Sequence, residues 1–371
     1  MRHEKGINME QNYLNTIQDV LDNGTWQKNE RTGELCCTLD GAITRFDISQ
    51  AFTCAVTTKK LAWKSITGEF CGFLRGVTSA ADFRSFGSKV WDQNANENAQ
   101  WLANAFRKGE DDLGDVYGAQ WRRWPAYKFF DCHPSSGVIK KIEADGWVYR
   151  GQVGENMSRD ADEFKTEGYL WSKEVDQLGE CIKKLILNPS DRRILFHGWN
   201  PAKLDEIALP ACHLLYQFLP NVTKGELSLA IYIRSWDTFL GGPFNIAEGG
   251  LLLELVSRLT GFKPKRVTIF SGDTHVYENH LPMVEEQLSR SPLGPPQLDI
   301  NDRIPYFNAT LTRFKDEHGE ELHDLDPLEF DKRAREHAIS VAIEWLDKVE
   351  PTDFTLPDYI HHPELKAPMA V

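Results

Sequence analysis

Residues 212–261 read CHLLYQFLPNVTKGELSLAIYIRSWDTFLGGPFNIAEGGLLLELVSRLTG, and their order of patterns decides the fold. CHLLYQFLP and ELSLAIYIRSW are two apolar, strand-like runs separated by turn material. PFNIAEGGLLLELVSRLTG has the length and composition of a helix and closes at Gly261, a helix-stop residue. Upstream, RRILFHGW (192–199) adds another strand-like run. Downstream, RVTIFSGDTHVY (266–277) predicts a strand entering a loop, and HLPMVEEQLSR (280–290) a further helix. Several strands mixed with long helices predict an α+β domain built around a sheet.

The remaining sequence sets limits on that domain. With 371 residues and 41% hydrophobic content, the chain has enough apolar material for one large core, carried as one domain with sizeable insertions. A net charge of −13 works against general affinity for DNA, RNA or an anionic membrane, while leaving room for a local basic pocket. The first residues carry no apolar leader, and no window approaches the roughly 18 apolar residues of a membrane span, so a soluble, cytoplasmic protein is expected. Seven cysteines, odd in number and irregular in spacing, read as free thiols in a reducing compartment. On that reading the sequons at Asn221 and Asn308 stay unmodified. Neither G-x-G-x-x-G nor G-x-x-x-x-G-K-[ST] occurs, so no dinucleotide or P-loop site is signalled.

Residues 12–22 carry apolar groups at helical spacing and end in NG. LCCTLDGAITRFDI (35–48) alternates around a turn and reads as strand or hairpin. A helix over 65–75 would set Glu69 among Ile66, Phe70, Phe73 and Leu74, which places an acid on or beside an apolar face. The polar segment 94–113 reads as a surface excursion. Segments 126–175 and 315–350 read as insertions, the latter charged and partly helical, with a Lys/Glu-rich helical run over 172–187.

Cys212 stands beside His213, after a proline and ahead of an apolar run. Alone, such a cysteine reads as a small core residue more often than as a nucleophile. Alternation along a strand would turn His213 away from it, so a simple Cys–His pair is disfavoured. Arg234 closes an otherwise apolar strand. It reads either as a strand-end arginine reaching solvent or as a cation that stabilises a thiolate together with a bound anion.

Taken together, ERTG (30–33), TTKK (57–60), VWD (90–92), DLGDVYGAQWR (112–122), SDRR (190–193), LPACH (209–213), RSWD (234–237), GGPFNIA (241–247), GDTHVYENH (272–280) and the terminal HHPELKAPMAV resemble the thymidylate synthase family, in family order over most of the chain. That resemblance implies one catalytic domain over 1–371, a mixed sheet packed against helices, and a homodimer formed through the sheet. It implies transfer of one carbon from 5,10-methylenetetrahydrofolate to C5 of dUMP, with no metal. Cys212 is then the nucleophile at C6, and the chemistry accounts for the choice. C5 of uracil is a poor nucleophile until a thiolate adds at C6 and makes C5 an enolate carbon.

By the same resemblance Glu69 organises water and protons near O4, Asn245 binds the O4/N3 edge, and Tyr117 helps to remove the C5 proton. An amide can accept from N3–H and donate to O4, which favours uracil over cytosine. Arg31, Arg234 and Ser235 fall on phosphate positions, and Arg192 and Arg193 on the pair that crosses into the neighbouring subunit's site. Guanidinium forks suit phosphate oxygens. His275 and Tyr277 fall on ribose positions. Trp91, Asp237, Leu240 and Phe244 fall on folate positions, and Val371 supplies the carboxylate of a closing tail that shields the reaction from water.

Several positions depart from the family pattern. Gly72 stands where a tryptophan is usual, Glu248 and Gly249 replace a serine and a tyrosine, and Trp236 replaces a smaller side chain. Two outcomes are compatible with this. Neutral repacking leaves a synthase, with thymidylate and dihydrofolate as products. A water admitted beside Glu248 gives a deoxyuridylate hydroxymethylase, as in related viral enzymes, working in the host cytoplasm and releasing tetrahydrofolate. A catalytically dead RNA-binding protein is disfavoured by the presence of Cys212, Glu69 and Asn245.

Overall fold

A computed structural model describes residues 9–30, 33–156, 164–319 and 326–368. Helix α1 (Glu10–Asn23) leads into β1 (Thr25–Lys28) and the long β2 (Leu35–Asp47). Helices α2 (Trp63–Leu74), α3 (Ala80–Ser85), α4 (Asp92–Asn96), α5 (Ala99–Leu102) and α6 (Gly118–Arg122) follow. Next come β3 (Trp124–Phe130), α7 (Ser136–Ala144), β4 (Val148–Asn156), β5 (Phe164–Val175) and α8 (Gln177–Leu187). The chain then runs through β6 (Leu195–His197), β7 (His213–Asn221), β8 (Glu226–Asp237), α9 (Gly241–Thr260) and β9 (Lys263–Tyr277), and on to α10 (Leu281–Ser289), α11 (Phe307–His318) and α12 (Pro327–Lys348).

The central sheet has six strands in the order β1-β2-β9-β8-β7-β6. All pairs are antiparallel except β8 and β9, which run parallel. Parallel neighbours need a crossover connection, and α9 provides it. One face of β8 presents Leu227, Leu229, Ile231 and Ile233 to the core. Helix α9 packs on β8 and β9 and is buried around most of its circumference, as its near-continuous apolar sequence requires. It ends at Gly261, whose left-handed φ of 83° closes the last turn.

Of the two readings of 35–48, strand or hairpin, the structure has the strand, continuous over 35–47. Gly41, at φ 87°, changes the backbone direction without ending the pairing to β9. The helix expected over 172–187 begins at Gln177, because 172–175 complete β5 and Asp176 caps the helix by accepting from the Gly179 N–H.

Strands β3, β5 and β4 make a separate three-stranded sheet with its own small cluster of Ile142, Trp147 and Trp171. Helix α12 packs against α2 and α8 through Ala338, Ile339, Ala342 and Leu346, so much of 327–348 contributes to the core rather than lying at its edge. Glu10 is buried and accepts four hydrogen bonds, from the backbone N–H and hydroxyl of both Thr57 and Thr58. That single carboxylate fixes the TTKK turn against α1 and sets Lys59 beneath the loop that follows β8. The Lys59 ammonium donates to the Phe239 carbonyl and sits 3.7 Å from the centroid of that ring. Burial lowers its pKa to about 7.

Candidate active site

The C-terminal end of β8, the first turn of α9 and the approach to β7 converge with α2, α4 and α6 on one cavity of about 380 Å³. Glu69, Trp91, Tyr117, Cys212, Ser235, Asp237, Leu240, Phe244 and Asn245 line it together, although they are spread over 177 residues of sequence from Glu69 to Asn245. A second cavity, of about 330 Å³, lies beyond α9 around Arg258, whose guanidinium is spent on the carbonyls of Ile300, Asn301 and Ile304.

Cys212 is held from three sides. Its backbone N–H donates to the Tyr117 hydroxyl at 2.8 Å, and its carbonyl accepts from the Arg234 N–H at 2.9 Å. The Arg234 guanidinium donates to the Ala211 carbonyl at 3.0 Å and the Pro210 carbonyl at 2.9 Å, and one of its nitrogens lies 3.6 Å from the Cys212 sulfur. The arginine is therefore no solvent-reaching strand end. It grips the turn before β7 and sets a positive charge beside the thiol.

Tyr117 reaches this position with a backbone φ of 29°, a value that L-residues avoid and that costs of order 1–3 kcal/mol. Its ring stacks on Phe73 at 5.2 Å and its hydroxyl is fixed by Cys212, which together hold the strained turn. Burial, followed by the proximity of Cys212, pushes the phenol well above its usual range, so it stays protonated.

His213 also lines the cavity, because Cys212 precedes the strand and the expected alternation between the two does not operate. It is nevertheless no base for the thiol. Its Nδ1 is engaged with the Tyr216 hydroxyl at 2.6 Å, and burial lowers its pKa to about 3, which keeps the ring neutral.

Glu69 is buried on α2, and its Oε1 accepts from the Trp91 indole N–H at 2.9 Å. Burial raises its pKa to about 7, against the opposing effect of hydrogen bonds from Glu248 and Trp91. Trp91 stacks in turn on Phe83, with centroids 5.6 Å apart and planes at 22°. Asp237 Oδ1 accepts from the N–H groups of Phe239 and Leu240, which rigidifies the turn into α9.

Other expected site residues lie outside the cavity wall. His275 and Tyr277 sit on β9, one strand over from Ser235 and Asp237, with their rings 5.1 Å apart. His275 Nδ1 is 2.8 Å from Asp273 Oδ1. Arg192 and Arg193 are exposed on the approach to β6, and Arg193 pairs with Asp191 at 2.9 Å. Arg31 and Val371 lie outside the described residues.

Val90, Asn94, Leu209 and Gly241 line the cavity without having been singled out from sequence. Asn94 could have been, since it follows Trp91 by three residues at the start of a helix and so shares its face. The segment 94–113 is accordingly not a simple surface excursion. Asn94 reaches the cavity, and Trp101 is 2% exposed with its indole N–H donating to the Asp112 carbonyl.

The departures from the family pattern leave no void. A Cβ on Gly72 would come within 2.3 Å of the Phe83 ring, so Phe83 fills the space of the usual tryptophan and backs Trp91. A Cβ on Gly249 would come within 2.6 Å of Ile231, which lets α9 lie close on the sheet. Trp236 is 1% exposed and packs near Gly242. Glu248 is not on the cavity wall. It lies buried next to Glu69, one layer behind it.

A family model described as thymidylate synthase matches residues 11–371. The chain belongs to the thymidylate synthase family. It is 51% identical over 359 residues to a thymidylate synthase of Bordetella parapertussis, and 49% identical over 359 residues to one of Pseudomonas putida. Each alignment covers 97% of this chain and 99% of the relative. The long segments that lengthen this chain therefore do not set it apart from these thymidylate synthases, whose lengths it nearly matches. If Phe83 has taken the place of a family tryptophan, Gly72→Ala should lower stability by about 1–3 kcal/mol through overpacking. Urea denaturation checks this, and an unchanged midpoint would show that the space at Gly72 is open.

Proposed function

We propose that the chain catalyses reductive methylation of dUMP to thymidylate, using 5,10-methylenetetrahydrofolate and releasing dihydrofolate. The observation that carries this reading is a cysteine sulfur, flanked by a guanidinium at 3.6 Å, on the wall of the cavity that also holds Glu69, Tyr117 and Asn245. Cys212 acts as the nucleophile toward C6 of the pyrimidine, and Arg234 offers positive charge to the sulfur and to the nucleotide phosphate. Asn245 binds the O4/N3 edge, while Glu69 supplies or holds a proton near O4 as negative charge develops there. The protonated Tyr117 hydroxyl is placed to relay the C5 proton.

The apolar walls of Trp91, Leu240 and Phe244, with the carboxylate of Asp237 among them, suit a flat heteroaromatic ring with N–H donors. The folate held there supplies the carbon and the reducing equivalent. Among the described residues no cluster of three or more His, Cys, Asp or Glu is placed to hold a metal ion.

Reduction is favoured over hydration by the packing. The positions that opened the alternative, Gly72 and Gly249, are filled by Phe83, Ile231 and Val267, and Glu248 has no place on the wall from which to aim a water. Mass analysis of the nucleotide formed from dUMP and methylenetetrahydrofolate tests this, with absorbance of dihydrofolate followed in parallel. Thymidylate with stoichiometric dihydrofolate is expected. A product heavier by one oxygen, with no dihydrofolate, would assign the hydroxymethylase instead.

The working unit in this reading is a cytoplasmic homodimer formed through the sheet. Ile43, Phe270 and Tyr232 are register neighbours on β2, β9 and β8 and are 37–53% exposed. A row of large apolar side chains on an open sheet face asks for a covering partner. Among the described residues no helix is long and apolar enough to cross a membrane. In the dimer Arg192 and Arg193 serve the partner's phosphate site. Mixing Arg192→Ala with Cys212→Ala chains should therefore regenerate activity in verified heterodimers, through the one site that has both residues intact. No recovery would contradict arginine sharing.

A further inference from the structure

The run RRILFHGW ends in a tryptophan that has no part in the reading above. Trp199 follows β6 by two residues, is half-buried, and stands outside the cavity wall. Its ring centroid lies 5.5 Å from the Arg234 guanidinium carbon, within the range over which an aromatic face attracts a cation. The residues on either side hold it there. The Gly198 N–H donates to the Leu214 carbonyl at 2.8 Å, and the Asn200 amide donates to Gln120 at 3.0 Å while its oxygen accepts from the Ala202 N–H. Gly198 also runs close to the turn that Arg234 grips, since a Cβ on it would come within 3.4 Å of the Ala211 Cβ.

The surroundings of Arg234 set it apart from other arginines of the chain. Arg75, Arg84, Arg122, Arg258 and Arg303 each pair with a carboxylate. Arg234 has the Pro210 and Ala211 carbonyls, the Cys212 sulfur and the Trp199 ring instead, and no acid within ion-pair distance among the described residues. A carboxylate would hold the guanidinium in place but cancel its field at the sulfur. Carbonyls and an aromatic face hold it and leave the charge intact. The carbonyl and sulfur contacts use Nε and Nη2, so Nη1 has no hydrogen-bond partner among the described residues.

We propose that Trp199 is a positioning residue whose ring holds the Arg234 guanidinium beside the Cys212 sulfur without neutralising it. One unpaired cation then serves the thiol and, through Nη1, a bound anion. The second part rests on the dUMP reading, in which that anion is the nucleotide phosphate, and the first part does not.

The test compares alkylation of Cys212 by iodoacetate, an anion, with alkylation by iodoacetamide, its uncharged analogue, each followed by peptide mass spectrometry. An unneutralised guanidinium beside the sulfur draws in the anion, and the ratio of the two rates cancels changes in thiol reactivity that both reagents share. In Trp199→Leu the ratio should fall by about fivefold, the loss of one unit-charge attraction at contact distance in water. Trp199→Phe, which keeps a ring, should retain most of it. KM for dUMP should rise about two- to fivefold in Trp199→Leu, and KM for methylenetetrahydrofolate should stay where it was. If Trp199→Leu does not fold, tetrafluorotryptophan at position 199 replaces it, because it keeps the shape and drains the ring face of electrons. The ratio should then fall in the same direction. An unchanged ratio in the folded variant, as a role confined to packing requires, would overturn the proposal. A wild type that makes no thymidylate counts against the dUMP reading and leaves the alkylation test standing.

Discussion

The Arg234 guanidinium is the contact on which the site depends. It ties the Pro210 and Ala211 carbonyls to the end of β8 and stands 3.6 Å from the Cys212 sulfur, so one side chain fixes both the turn that presents the thiol and the charge beside it. Burying an arginine part-way is costly unless its N–H groups are satisfied, and here the strand pairing of β7 with β8 brings the acceptors into place. The same strand carries Ser235 and Asp237 onward to the cavity. Helix α9, which must connect β8 to its parallel neighbour β9, begins at once with Leu240, Phe244 and Asn245. The geometry of one strand–helix–strand unit thus brings the cation, the apolar walls of Leu240 and Phe244 and the Asn245 amide together.

The electrostatics around that cation are sparse. His213 is neutral by burial, Tyr117 is a protonated phenol, and burial pushes the carboxyls of both Glu69 and Glu248 up. In a chain of net charge −13 this lessens the negative field that would repel a bound anion. Strain at Tyr117 is the cost of this arrangement, and the Phe73 ring stacked on it and the Trp91 ring edge-on to both hold it in place.

The sequence showed the central unit well. The two strand runs at 213–237 and the helix ending at Gly261 were legible because their patterns are long and the stop residue has a physical reason to be glycine. The identity of the cavity residues was carried by the family resemblance, since no periodicity links Glu69 to Cys212. Long-range packing was not legible. Gly72 looked like a gap because nothing in its neighbourhood reveals that Phe83, eleven residues away, folds into it. Whether Glu248 reaches the wall was not legible either, because its spacing from Asn245 gives the helix face but not the depth. Asn94 and Trp101 were hidden by polar neighbours that suggested a surface, although short helices turn both inward. Gly41 was read as a turn because a glycine in left-handed conformation marks one more often than it marks a kink inside a strand.

The account stands or falls on which sulfur bonds the pyrimidine. Incubation with methylenetetrahydrofolate and a dUMP analogue bearing fluorine at C5, which cannot leave as the proton does, should stall the reaction with the nucleotide attached. Peptide mapping by mass spectrometry then locates the bond among the seven cysteines. The account predicts a nucleotide adduct on the peptide carrying Cys212 and none in Cys212→Ser. An adduct on another cysteine, or no covalent nucleotide in an active preparation, would contradict it.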